Sequence, residues 1–548
     1  MPSRHRSIWS RSPNMRQSEI RLECLCYASL LAMALILFLV NLGSLPLLDV
    51  YEGTLAQVAK EIYQSAPNSL NWIFPTLWGE VYFEQPPLVH DLVAIAYSVF
   101  GVNEFATRLP GALLSAVSVV LVYSIGREIF VARLPASLSA LVYITCLPVV
   151  RYGRLASLDG ALLCFGIFTI WAMLRSRRDL KWTLAIGIGL GLTSLTKGLF
   201  SIQLLAIVIL FLLWDTPRLI SSAYFWLGLI LGAAPGIAWY IWTWFRYDEF
   251  ITAKEFWKLF LSQTAPSTLQ MGFSAKYYLL QSLQYILPWS IVMYTGLKSL
   301  ERNLHWGWAK LLLVWIGGYF VLGLLTLNRD YWLVLPLYPA LALVAGRQLN
   351  FICNLPSYVA YPRIWVFGFA SMSVIAAIAG LNWGVRNYLD FYLPFICGSL
   401  CITFAATAVT MERQDRQFIP LLFWGLFVSI FLLVISPHWI WELKLIEPIE
   451  PIADLVRQHT PPNQIVYSSM PTVRPSLNFY SDRQIVPQTI DELKQHWQLN
   501  SQVYLLIDSM SKKELNLPQQ AIVQSRSHLK WMLAIKKPQV EVTHACRN

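Results

Sequence analysis

An all-α polytopic membrane domain followed by a small α/β domain is the fold class that this sequence predicts, on three observations. The chain of 548 residues is 56% hydrophobic and 13% charged, whereas a soluble domain carries roughly 25% charged residues. Apolar runs long enough to cross a bilayer recur as far as about Pro437. Past that point the composition turns mixed, with proline-broken, amphipathic and β-rich stretches.

The elements follow in order. The opening MPSRHRSIWSRSPNMRQSEIR is rich in Arg, and residues 1–23 read as a basic cytoplasmic N-terminus. The apolar run from Cys24 to Leu45 is too long for a signal peptide, lacks a small-residue cleavage site and precedes many more spans. It reads as a signal anchor, so the chain from Leu47 lies outside. Candidate crossings are 24–45, 107–126, 134–150, 158–174, 182–197, 199–214, 222–246, 281–299, 308–327, 331–346, 363–383, 390–411 and 418–437. That is about thirteen transmembrane helices on the length criterion.

Basic residues bias the alternate connections. Arg127 and Arg133, Arg175, Arg177, Arg178 and Lys181, Arg218, Lys298 and Arg302, Arg347, and Arg413 and Arg416 fall in segments expected on the cytoplasmic side. Leu88–Phe100 is apolar but short and carries His90 and Asp91. Counting it as a crossing would place RSRRDLK outside, so it reads as a helix at the outer membrane surface. The domain 24–437 then exposes two large outer segments, 47–106 and 247–280. In the first, Tyr51, Leu55, Val58 and Ile62 share one face at helical spacing, as in an interfacial helix lying on lipid. In 438–548, an extracytoplasmic α/β domain is expected, with VYLLID near Val503 as a buried strand and TIDELKQHWQ near Thr489 as a capped helix.

The net charge of +11 and pI near 9.2 do not indicate a nucleic-acid partner, because the Lys and Arg are scattered at the ends of apolar runs. The cysteines form no CxxC pair and no metal-ligand spacing, and read as small buried hydrophobes. The informative polar residues are acids at one interface. Asp49 and Glu52 stand where the first span ends, and Glu84 lies in WGEVYFEQPP. A chain built of apolar spans seldom places acids there for stability, and acids near a membrane usually mark function.

Six segments in order, LLDVYEGTLAQVAKEI, WGEVYFEQPPL, FGVNEFATRLPGAL, RYGRLASLDGALL, LTSLTKGLF and YWLVLPLYPALAL, resemble the membrane glycosyltransferases of the protein O-mannosyltransferase and lipid A aminoarabinose transferase superfamily. The resemblance covers roughly residues 25–350. It implies the GT-C fold and transfer of a sugar from a polyprenyl-phosphate donor to a lipid, glycan or protein acceptor on the outer face. It implies a carboxylate base at the end of the first span, Asp49 or Glu52. It also implies a Glu, here Glu84, that can help hold a divalent metal.

Transfer to a hydroxyl independently calls for a base within hydrogen-bond reach. A phosphate leaving group needs charge neutralisation more than an acid, and an inverting single displacement suffices. Arg108, Lys197 and Arg329 are candidate phosphate partners. Asp159, which begins the fourth span near Arg151 and Arg154, is a candidate brace, and Tyr331 precedes the VLPLYP segment. Each has a plain alternative as an interfacial ion pair or a snorkelling cation.

The sequence departs from the family at several points. Tyr51 stands where the family often has Asp of an Asp-Glu pair, and Gln85 stands where it has Lys. Loop 247–280 contains no His, so the metal is left open, and Leu333 occupies a position where relatives can carry Tyr. The competing readings are a transporter or flippase of lipid-linked sugars, or a relative that has lost the chemistry. Transporters tend to show internal repeats and polar midplane residues; no repeat is visible here.

Overall fold

The computed structural model describes residues 13–66, 69–82, 84–198, 200–246, 286–325, 334–356, 359–386, 390–445, 447–518, 521–524 and 530–536. Two compact units emerge. One comprises Met1–Leu42, Glu84–Val89 and Arg108–Trp439; the other comprises Gly43–Phe83, His90–Thr107 and Ile440–Asn548.

The first unit is helical. Among the described residues seven helices are long and apolar enough to cross a membrane. The pair Arg133–Ile144 and Leu147–Arg154, bent by 59°, makes an eighth span if counted as one. Expected crossings at 182–197, 199–214 and 331–346 appear as helices of 16 residues each, Trp182–Lys197, Phe200–Asp215 and Tyr338–Cys353. Outward faces carry Ile230, Leu231, Phe367, Leu381, Val385, Phe395 and Ile402, all exposed. Such faces are stable only against lipid.

Small residues let these helices approach. Gly187 and Gly191 of the Trp182–Lys197 helix face Gly228 and Gly232 of the Ala223–Arg246 helix, and a Cβ on any of the four would run into the opposing backbone. With no solvent to drive association in lipid, close backbone packing supplies the attraction. The first helix, Pro13–Leu39, is tied at its end to the last span. Asn41 donates its amide to the carbonyls of Val434 (3.2 Å) and Ile435 (3.0 Å), which the helix end leaves free.

Several connections gather at one end of the helices. Glu23 pairs with Arg127 and Arg133, both at 2.8 Å. Glu128 pairs with Arg175 and Arg178, both at 3.0 Å. Asp215 pairs with Arg177 and, at 3.5 Å, with Lys310. The connections around 127–133, 175–181, 215–218 and 302–310 therefore share a side.

In the second unit, residues 49–53 form a π-turn and Thr54–Gln64 an α-helix. The α-helix starts three residues after Tyr51, because the N–H groups of both Glu52 (3.2 Å) and Gly53 (2.9 Å) close on the Leu48 carbonyl. The expected lipid-facing stripe is covered by protein instead. Leu55, Val58 and Ile62 are buried, and Val58 and Ile62 pack with Tyr82 and Ala94. A hairpin of β1 (Thr76–Leu77) and β2 (Glu80–Val81) turns at Trp78 and Gly79, both at positive φ of 57° and 80°, as a two-residue turn between twisted strands requires. Glu61 holds the turn by accepting from Thr76 Oγ1 (2.7 Å) and the Trp78 N–H (2.6 Å).

The C-terminal residues of this unit build a five-stranded sheet in the order β4-β3-β5-β7-β6, with β3 Val466–Ser468, β4 Ile485–Pro487, β5 Val503–Asp508, β6 Ile522–Gln524 and β7 Trp531–Lys536. β3 runs parallel to β4 and β5; β7 runs antiparallel to β5 and β6. Strand β5 is VYLLID, buried on both faces. Tyr504 and Leu506 join Ile452, Val456 and Leu477, whereas Val503, Leu505 and Ile507 join Leu493 and Leu515. Burial on both faces accounts for its unbroken apolar run. The helix Ile490–Leu499 carries the expected cap, with Glu492 accepting the Thr489 N–H at 2.8 Å.

Candidate active site

The two acids at the end of the first span occupy different environments. Glu52 is fully buried, and its Oε2 accepts the Leu48 N–H at 2.8 Å. It thus helps to close the π-turn on which it sits. Such turns occur often at functional sites because they re-aim side chains. Asp49 is 9% exposed. Arg474 Nε donates to its Oδ2 at 2.9 Å, and the Ser476 hydroxyl donates to its Oδ1. The partners lie 425 and 427 residues away in the chain.

Arg474 and Ser476 open the short helix Pro475–Ser481. Arg474, Ser476 and Tyr480, which organise this turn, were not legible as site residues in the sequence. VRPSLNFYSDR carries only one local signal, a proline at a helix start. One turn further on, Tyr480 accepts the Leu47 N–H at 2.9 Å and donates to Glu104 at 2.8 Å. Lys60 pairs with Asp482 at 2.7 Å. Burial opposes the Asp482 charge, but Lys60, with Arg483 and Arg457, outweighs it and holds the carboxyl below its usual range.

The helical unit holds the cationic candidates. Arg108 and Arg154 are both fully buried and both lie over the ring of Trp439, at 5.1 and 4.6 Å from its centroid. Arg108 donates to the Leu42 carbonyl at 3.0 Å, and Arg154 to the Leu37 carbonyl at 2.6 Å. These carbonyls lie at or just past the C-terminus of the first helix, where the helix dipole favours cations. Trp439 is a further residue that sequence reasoning missed. Asp159 begins the helix Asp159–Ser176, and its Oδ2 accepts from Ser157 Oγ at 3.1 Å. Lys197 is half-buried and ends the Trp182–Lys197 helix.

Glu84 is described and exposed. Among the described residues no group of three or more His, Cys, Asp or Glu could hold a metal ion. Arg329, Tyr331 and the 247–280 segment lie outside the described residues. On the helix Leu88–Phe100, His90 meets Tyr82 edge-on with ring centroids 5.7 Å apart, and burial raises Asp91 to about 7.

The fold matches the crystal structure of ArnT from Cupriavidus metallidurans bound to undecaprenyl phosphate, with a TM-score of 0.74 at 18% identity, over 93% of this chain and 97% of that one. Residues 84–242 match the family model described as dolichyl-phosphate-mannose-protein mannosyltransferase. The chain has the fold of that crystal structure and is similar in sequence to membrane glycosyltransferases. An undecaprenyl phosphate-alpha-4-amino-4-deoxy-L-arabinose arabinosyl transferase of Pseudomonas savastanoi is 31% identical over 34% of this chain and 36% of its own length. An uncharacterized protein of Aquifex aeolicus is 24% identical over 83% of this chain and 86% of its own length. The stretch matched by the family model begins at Glu84 and includes Arg108, Asp159 and Lys197.

Proposed function

We propose that this enzyme moves a sugar from a polyprenyl-phosphate donor to a hydroxyl of a lipid, glycan or protein acceptor, on the outer face of the membrane, with Asp49 as the base. The observation that carries the reading is the contrast between the two acids. Glu52 is fully buried and serves the π-turn, whereas Asp49 gives one hydrogen bond site on each oxygen to a fixed partner. A carboxylate offers about four acceptor sites, so Asp49 keeps capacity on both oxygens for an incoming proton.

The step is a single displacement. The acceptor oxygen attacks the anomeric carbon as its proton passes to Asp49, and the bond to the donor phosphate breaks on the opposite face. Lys197, Arg108 and Arg329 are the cations assigned to the phosphate, with Asp159 and Tyr331 bracing them. Arg108 performs this role in addition to its bond to the Leu42 carbonyl. No step is routed through a metal: Glu84 has Gln85 beside it, and no ligand cluster surrounds it among the described residues.

The N-terminus and the ion-paired end of the helices face the cytoplasm in this reading. Residues 1–23 precede the membrane domain, which runs to 437 with outer segments 47–106 and 247–280, and 438–548 lies outside. Six cations meeting three acids at one end support it. A donor presented on the outer side must be lipid-linked, because nucleotide sugars are made in the cytoplasm. Purified enzyme should transfer sugar from a lipid extract of its source cells, followed by mass spectrometry of the acceptor fraction. Turnover with soluble nucleotide sugars alone would defeat the reading. Movement of lipid-linked sugar across vesicles without transfer would favour a flippase.

A further inference from the structure

We propose that Arg474 and Ser476 of the C-terminal region are positioning residues for Asp49, so that this region sets the geometry of the base; the inference rests on the assignment of Asp49 as that base. The contacts are specific to the carboxylate. Arg474 takes Oδ2 and Ser476 takes Oδ1, one donor on each oxygen. A carboxylate gripped at both oxygens cannot turn about its terminal torsion, which is otherwise broad and roughly two-fold.

The donors are themselves fixed. Arg474 also donates through Nη2 to the Glu447 carbonyl at 3.2 Å, and its side chain is 12% exposed. Ser476 is fully buried in the first turn of a helix whose φ is preset by Pro475. A charge-assisted bond from so constrained a guanidinium is stronger than one between neutral groups.

The helix start is also seated on the turn by shape. A Cβ on Gly53 would meet the Pro475 carbonyl carbon at 2.7 Å and Ser476 Cα at 2.8 Å. Only a residue without a side chain lets Ser476 come close enough to reach Asp49. Mere fastening of the two segments is already provided elsewhere. Tyr480 holds Leu47 and Glu104, Lys60 holds Asp482, and Phe479 packs on Leu47 and Ala56. The pair of donors on Asp49 adds orientation of one carboxylate. A base must be held at the attacking hydroxyl, and small displacements of a reacting group are costly in rate.

The test uses the full-length enzyme in detergent, with serial dilutions of lipid extract from its source cells as donor. The plateau rate and the half-saturating amount are then separate readings. Binding of undecaprenyl phosphate reports the donor site independently. Arg474→Gln should lower the plateau rate about 100-fold, with the half-saturating amount and undecaprenyl phosphate binding unchanged. Arg474→Lys should recover most of the loss, and Ser476→Ala should cost about tenfold.

In an Asp49→Asn background neither change should lower the residual rate further, because the group they position is gone. A wild-type plateau rate in Arg474→Gln overturns the inference. Loss of donor binding together with rate in that variant also overturns it, as does additivity with Asp49→Asn. If Arg474→Gln fails to fold, Ser476→Ala decides by the same readings, and a wild-type plateau rate there overturns the inference. Full activity of Asp49→Asn would instead defeat the base assignment, an outcome distinct from an inactive Asp49→Asn beside a fully active Arg474→Gln.

Discussion

The acidic turn at 49–53 and the cationic pair on Trp439 are both charged clusters in a largely apolar protein, yet they are satisfied in opposite ways. Asp49 depends on side chains from the far end of the sequence, Arg474 and Ser476. Arg108 and Arg154 bond to backbone carbonyls near the end of the first helix, and an aromatic face serves them both. Backbone carbonyls at a helix end are present in any sequence that makes the helix. A guanidinium aimed at one carboxylate is present only if that residue is kept. The acidic turn is thus the more specified of the two and the more fragile in function. The cationic pair has a structural role whether or not it meets a phosphate.

Removing each cluster's centre breaks the comparison most sharply. Asp49→Asn should lower the plateau rate of transfer by about 1,000-fold while the melting temperature in detergent moves little. A variant with near-normal rate would place the base elsewhere. Trp439→Ala should instead strike folding, at about 3 to 5 kcal/mol for a buried aromatic, read from thermal unfolding. Arg154→Met should be neutral or stabilising in the same assay. Among the described residues the Nε and Nη2 of Arg154 find no hydrogen-bond acceptor, and a buried charge replaced by an apolar side chain of like volume seldom destabilises.

Lys197→Ala sharpens the functional half of the comparison. The half-saturating amount of donor should rise about tenfold, near 1.4 kcal/mol of lost phosphate interaction, with the plateau rate held. An equal fall in plateau rate and no change in donor requirement would remove Lys197 from the phosphate site.

The smallest effect belongs to Lys60 and Asp482. The Asp482 carboxyl is held below its usual range in the folded protein. Its contribution to stability is therefore fully present above the unfolded value of about 3.9 and is lost as pH falls through the lower folded value. The Asp482 side chain is 55% exposed, so the effect is small. Asp482→Asn should lower the melting temperature slightly at neutral pH and flatten the acid side of its profile, the variant and the wild type converging below the folded value.

Residue chemistry by itself determined the membrane class, because 20-residue apolar runs and terminal Arg and Lys have no stable alternative in water. It also determined local elements whose signals are contiguous, namely the VYLLID strand and the Thr489 cap. It singled out Asp49 and Glu52 as acids placed where stability does not call for them. Tertiary structure alone decided which of the two is spent on the backbone, since both are carboxylates on one turn and their partners set them apart. It also decided that the apolar stripe of Thr54–Gln64 meets protein, since periodicity reports a buried face and not what buries it. The partners of Asp49 lie over 400 residues away, and no local pattern encodes a contact at that separation. Such a contact exists only once the C-terminal sheet and its helices have folded and brought Arg474 and Ser476 to the turn.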